Sequence, residues 1–268
     1  MLSTNEQYRH VVHRRLKESY GPTYLTILSM IQSVSLGDLS FVVASHHQQF
    51  SLVQWILTLN AFCVLIIIWN VFSVQSVLWI WIPDVRDGMV PFVVGALELF
   101  LNYAITATLS TWLIALSLIG IAGAAGTWHI HWRSSREPDN RELLSRLDGL
   151  IHVYAGYLIG GSCFLLLLAW VSSAAGLDVA AGLQGVRGML ALGIALLATA
   201  ALAGSLAIFH VLWRHAIAYA RTDDATSAGS TTAVDRVSSR HVSRLRIPTH
   251  HSSDAQAAYE RRQHARHA

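Results

Sequence analysis

Apolar blocks separated by short charged joints dominate the chain. Between Pro22 and Pro83 the only Asp, Glu, Lys, Arg or His residues are Asp38, His46 and His47. A charged side chain at the centre of a bilayer costs roughly 3 kcal/mol or more, so such depletion points to lipid as the solvent. Crossing a hydrocarbon core of about 30 Å takes roughly 20 helical residues, and five blocks reach that length. One of them, Met89 to Trp128, would make a rod of about 60 Å at 1.5 Å per residue. It is expected to fold back at TATLST, residues 106–111, although neither Gly nor Pro marks a turn there. The pattern therefore predicts an all-α bundle of six transmembrane helices, at 22–44, 50–73, 89–107, 111–129, 150–174 and 188–213.

The joints and ends carry their own patterns. Residues 74–83, VQSVLWIWIP, are too short for a seventh crossing, and their tryptophans suit the headgroup level. They predict a short interfacial helix ended by Pro83. In residues 1–21, Tyr8, Val12, Leu16 and Tyr20 recur at i+4, with Arg9, Arg14, Arg15 and Lys17 elsewhere. That spacing predicts either an amphipathic segment lying on anionic lipid or a plain cytoplasmic extension of the first span. The loop 133–149 predicts a helix that begins near Pro138 and runs toward the fifth span.

Residues 215–268 read as a basic tail. From Arg221 its Ser, Thr, Ala and Arg show no apolar periodicity, which predicts disorder. The segment 221–268 is open to lipid or to a cytoplasmic protein partner. Nucleic acid is disfavoured, since Tyr259 alone could stack on a base.

Composition agrees with the pattern. Of 268 residues, 13% are charged, about half the usual share of a soluble domain. Cys63 and Cys163 both sit in apolar runs and read as small buried hydrophobes. Orientation follows from the basic residues. Of 19 Lys and Arg, only Arg187 falls on the outer side if the N-terminus is cytoplasmic. The positive-inside rule then places both termini in the cytoplasm, as in a bacterial inner membrane or its equivalent.

Candidate chemistry lies inside the apolar blocks. Glu98 sits near the centre of the third predicted span, and Asn102 and Thr106 follow at i+4 steps on the same face. Gln32 and Asp38 in the first span and Asn60 in the second are the other deep polar residues. Their convergence would make a polar seam for ions or protons, with Glu98 as the titrating group, Asn102, Asn60 and Gln32 orienting it, and Asp38 on the outer side. Intramembrane ionisable residues are functional candidates by default. The competing structural reading is a carboxyl that bonds an amide on a neighbouring helix and locks the two together.

A second set is histidine. His129 and His131 close the fourth span, His152 opens the fifth, and His210 and His215 close the sixth. All five fall near the cytoplasmic face, where haem b or a quinone site could use imidazoles from different spans. Interleaved Trp and Arg make interfacial anchoring the favoured reading, with no metal site and no cofactor expected.

Glycines at Gly156 and Gly160, Gly120, Gly123, Gly193 and Gly204 predict close packing of spans four to six, or a homo-oligomer interface. The P-loop, HExxH and GxSxG motifs are absent, so a soluble-type enzyme site is not expected, while an intramembrane enzyme using Glu98 or the histidines stays open. Three functions are left to weigh. The first is an ion or proton channel or transporter. The second is a non-catalytic membrane subunit or scaffold whose basic tail recruits a cytoplasmic partner. The third is a haem or quinone redox protein.

Overall fold

The computed structural model describes residues 4–79, 85–177 and 185–242, with side chains at 21–79, 87–177 and 185–218. The chain divides into two units, Met1–Ala218 and Tyr219–Ala268. Six α-helices follow one another among the described residues: α1 Thr4–His46, α2 Leu52–Leu78, α3 Val85–Ala104, α4 Leu109–Ser134, α5 Arg141–Ala174 and α6 Gly185–Val242. No strand occurs among the described residues.

Among the described residues, five helical stretches are long and apolar enough to cross a membrane: Gly21–Gln49, Leu52–Leu78, Leu109–Ser134, Pro138–Ala174 and Gly185–Ala218. The outward surface matches. Phe41 and Trp170 are each 69% exposed and Met30 is 66% exposed, a display of large apolar groups that water would oppose. Six hydroxyls on these helices are satisfied locally. Thr26, Ser33, Ser40, Thr58, Ser117 and Thr199 each donate to the carbonyl four residues back, so none needs water. These features fit a multi-pass membrane protein. The exception by composition is α3. Its 20 residues span about 30 Å, yet they include Arg86, Asp87 and Glu98.

The fold-back at 106–111 occurs as expected, and its chemistry is explicit. Helix α3 stops at Ala104, and Thr108 caps α4 by accepting from the backbone N–H of Thr111 at 3.2 Å. A hydroxyl cap thus does what Gly or Pro does elsewhere. Helix α2 opens with a capping box between Ser51 and Gln54. The Gln54 amide also donates to the carbonyl of Ile105 at 3.3 Å, tying the start of α2 to the end of α3.

Several expectations need correction. Residues 74–78 are the last turn of α2 and not a separate interfacial helix; no breaker precedes them, and Trp79 is the C-cap. Residues 80–84 lie outside the described residues. Pro22 sits inside α1, which runs unbroken from Thr4 into the apolar stretch. Helix also continues from Arg221 to Val242, where disorder is expected; Ala and Arg are good helix formers and no proline interrupts them. Residues 243–268 lie outside the described residues. Cys163 is exposed and Cys63 half-buried, so neither is a fully buried hydrophobe. One expectation in this region holds: helix begins at Pro138 with a 3-10 turn, Pro138–Asn140, and runs straight on as α5.

Packing pairs α1 with α2 and α3, α3 with α4, and α4 with α5. The main core fills the bundle around Leu28, Leu57, Leu101 and Trp112. A second, smaller core joins Trp79, Ile130, Leu147 and Leu212. Glycines matter at three close approaches. A Cβ at Gly95 would collide with the Ile31 side chain, one at Gly120 with Ser162, and one at Gly204 with the Tyr157 hydroxyl. The GxxxG of α5 does not serve packing inside the chain, one of the two readings expected of it; the homo-oligomer reading is untouched by this. Gly156 and Gly160 have nothing within van der Waals reach of an added Cβ, so α5 packs within the chain through Tyr157 and Ser162.

Candidate functional site

The seam begins with a narrow stripe on α1. Its buried positions are Tyr24, Leu28, Gln32, Ser35 and Leu39, spaced four, four, three and four residues apart as one helical face requires. On α3 the facing positions are Val94, Glu98, Leu101 and Asn102. Gly95 and Ile31 bring the two backbones together beside this contact, so the short side chains of α1 can reach a carboxyl on α3.

Glu98 is fully buried. The Gln32 amide donates to its Oε1 at 2.5 Å, and the Ser35 hydroxyl donates to its Oε2 at 2.8 Å. No Lys, Arg or His within ion-pair distance of Glu98 is present among the described residues. Asn102 extends the network. Its Nδ2 donates to the Ser35 carbonyl at 2.9 Å and to Asp38 Oδ2 at 3.1 Å. Asp38 is half-buried, so the path runs from a dry carboxyl to a partly open one.

Four of the five expected seam residues therefore meet: Gln32, Asp38, Glu98 and Asn102. Asn60 does not join them by any hydrogen bond. It is buried on α2, and its Nδ2 has no partner. Asn102 Oδ1 is likewise buried and unpartnered. Thr106 leaves the face altogether, because α3 ends at Ala104 and the Thr106 hydroxyl donates to the Tyr103 carbonyl in the turn. Glu98 sits in the C-terminal part of α3 and not at its centre, although it lies level with Gln32 and Ser35 in the middle of the apolar stretch of α1.

Sequence reading missed Ser35. The signal was available, since Ser35 is three residues from both Gln32 and Asp38 on one helical face. It also missed Asp87. That carboxylate is buried between α3 and α4, 2.7 Å from His129 Nε2 and 3.9 Å from Arg133.

The histidines do not form one constellation. His129 belongs to Asp87. His131 and His152 meet edge to face, with ring centroids 5.3 Å apart, and both approach Asp148. Rings in direct contact leave no gap for a macrocycle between them. His215 is exposed and bonded to the Val211 carbonyl of its own helix, and His210 faces outward.

A separate cavity of about 110 Å³ opens between α2, α4, α5 and α6. Its walls are mostly apolar, with Gly120, Gly123 and Gly126 along one side. None of the seam residues lines it. No family model, curated protein or solved structure matches this chain.

Proposed function

We propose that this chain is a six-span membrane protein that conducts or transports protons or cations, with Glu98 as the carboxyl that takes up and releases the ion. The observation that carries this reading is a fully buried carboxyl with no cationic partner among the described residues, linked through Ser35 and Asn102 to the half-buried Asp38. An unpaired buried charge is costly enough that such a group exchanges a proton or a cation instead of standing alone.

The donors suit two charge states. Gln32 Nε2 can only donate to Oε1. The Ser35 hydroxyl can donate to an ionised carboxylate or turn to accept from a protonated one. The open Asn102 Oδ1 adds an acceptor at the seam where a water or cation would gain a bond.

Helix α3, third in chain order, completes the six spans in this reading. Its polar side chains within the membrane have protein partners: Glu98 on α1, and Asp87 with His129 and Arg133 on α4. They do not face lipid, so the composition that sets α3 apart is compatible with crossing. The one-sided distribution of Lys and Arg supports cytoplasmic termini, as in an inner membrane.

The test is flux. Purified protein in liposomes, under an imposed potential, should carry protons or cations, and Glu98→Gln should abolish the flux without changing insertion or oligomeric size. No flux in wild type, with Glu98→Gln altering only stability, would make the seam a structural lock between α1 and α3.

A further inference from the structure

At the water-side end of α4 and α5, away from the seam, three side chains with metal-binding atoms come together. His131 ends α4, and Asp148 and His152 lie one turn apart on α5. One ligand atom from each falls within 4.8 Å of the others. The separations are informative. His131 Nε2 is 3.1 Å from Asp148 Oδ1, and His152 Nδ1 is 3.5 Å from the same oxygen. Ligand atoms about 2.0–2.1 Å from a tetrahedral zinc ion stand roughly 3.3–3.4 Å apart, between the two observed values.

The surroundings favour a cation. Arg133 is turned toward Asp87 and Arg146 toward Glu142, so the two neighbouring guanidinium groups are engaged elsewhere. Trp128 stands edge-on to His152, with ring centroids 5.4 Å apart, and shields one side. The other side is open, with Asp148 53% and His152 46% exposed. His152 Nδ1 also lies 2.8 Å from the Asp148 carbonyl. That carbonyl keeps its helical partner when the imidazole turns its lone pair to a metal.

We infer that His131, Asp148 and His152 bind a divalent transition-metal ion of the zinc class, with water in the fourth position. Two imidazoles and one carboxylate select this class. Calcium takes six to eight oxygens, and magnesium keeps an octahedral oxygen shell. The site fastens the end of α4 to α5 and keeps an exchangeable position, so it answers to metal supply. The sequence conceals it, because His131 is separated from Asp148 by the whole α4–α5 connection and only Asp148 and His152 stand at helical spacing.

The test uses the full-length, metal-stripped protein in detergent. Zn²⁺ is titrated by calorimetry, and Co²⁺ by visible absorption, whose intensity separates tetrahedral from octahedral coordination. One bound Zn²⁺ per chain and a tetrahedral Co²⁺ spectrum are expected, with excess Ca²⁺ not competing. Asp148→Asn and His152→Gln should each weaken binding more than about 100-fold, beyond the 10–100-fold typical of losing an outer partner. Replacing His250 and His251 together should change nothing. Absence of binding, an octahedral spectrum, affinity untouched by Asp148→Asn and His152→Gln, or loss only with the tail histidines would each overturn the site. The wild-type Co²⁺ spectrum decides even if a variant fails to fold.

Discussion

At the scale of single residues, the informative contact is between a glycine and an isoleucine. Gly95 has no room for a methyl group because Ile31 fills the space. Gly95→Ala should therefore push α1 from α3 and destabilise the protein by about 1–3 kcal/mol, as overpacking does. Ile31→Ala in the same chain should recover much of that loss. Thermal unfolding of the single and double variants in detergent checks both statements; equal melting in all of them would remove the close approach. Ser35→Ala separates roles at the seam. It removes the one donor to Glu98 that can reverse its direction, so flux should fall while insertion persists. Ser35→Thr, which keeps the hydroxyl, should retain most of the flux.

At the scale of elements, caps decide where helices begin. Gln54 serves twice, in the α2 capping box and as donor to the Ile105 carbonyl. Gln54→Leu should cost about 1–3 kcal/mol because it strands a buried acceptor, whereas Thr108→Ala should cost about 1 kcal/mol through loss of one cap. Urea or thermal melts that rank them in the opposite order would contradict this.

The same elements show what the residues reveal unaided. Hydropathy finds the apolar segment inside each of the six helices, because apolar length is a property of one segment at a time, but it misses how far α1, α5 and α6 run past the predicted spans at one end. It also brings out Glu98, Asn102, Gln32 and Asp38, whose polarity contrasts with their neighbours. Ser35 escapes notice because a hydroxyl in a membrane helix is ordinary, satisfied as it is at Ser33 and Ser40 by its own backbone. Asp87 and Asp148 sit at joints where charge is expected, and only the pairing of α3 with α4 and of α4 with α5 shows which histidine each meets. Thr106 is misplaced because periodicity carries a helix past a cap it cannot see.

At the scale of the whole molecule, the topology is open to direct mapping. With Cys63 and Cys163 replaced, Arg187→Cys should react with a membrane-impermeant maleimide in intact cells. Asp139→Cys should react only after the membrane is opened. Labelling of both from the same side would sink the six-span arrangement with its cytoplasmic termini.

Helix α5 has one more property. It is unbroken from Arg141 to Ala174, 34 residues, a rod of about 51 Å at 1.5 Å per residue. It crosses close to α4 where Gly120 meets Ser162. His152 lies about 15 Å from that crossing and Ala174 about 18 Å beyond it. Helices α4 and α5 also share the smaller core, through Ile130, Leu147 and Ile151, so a sideways pull on His152 is borne by both helices at once. With no break between Arg141 and Ala174, the load passes along α5 as one rod.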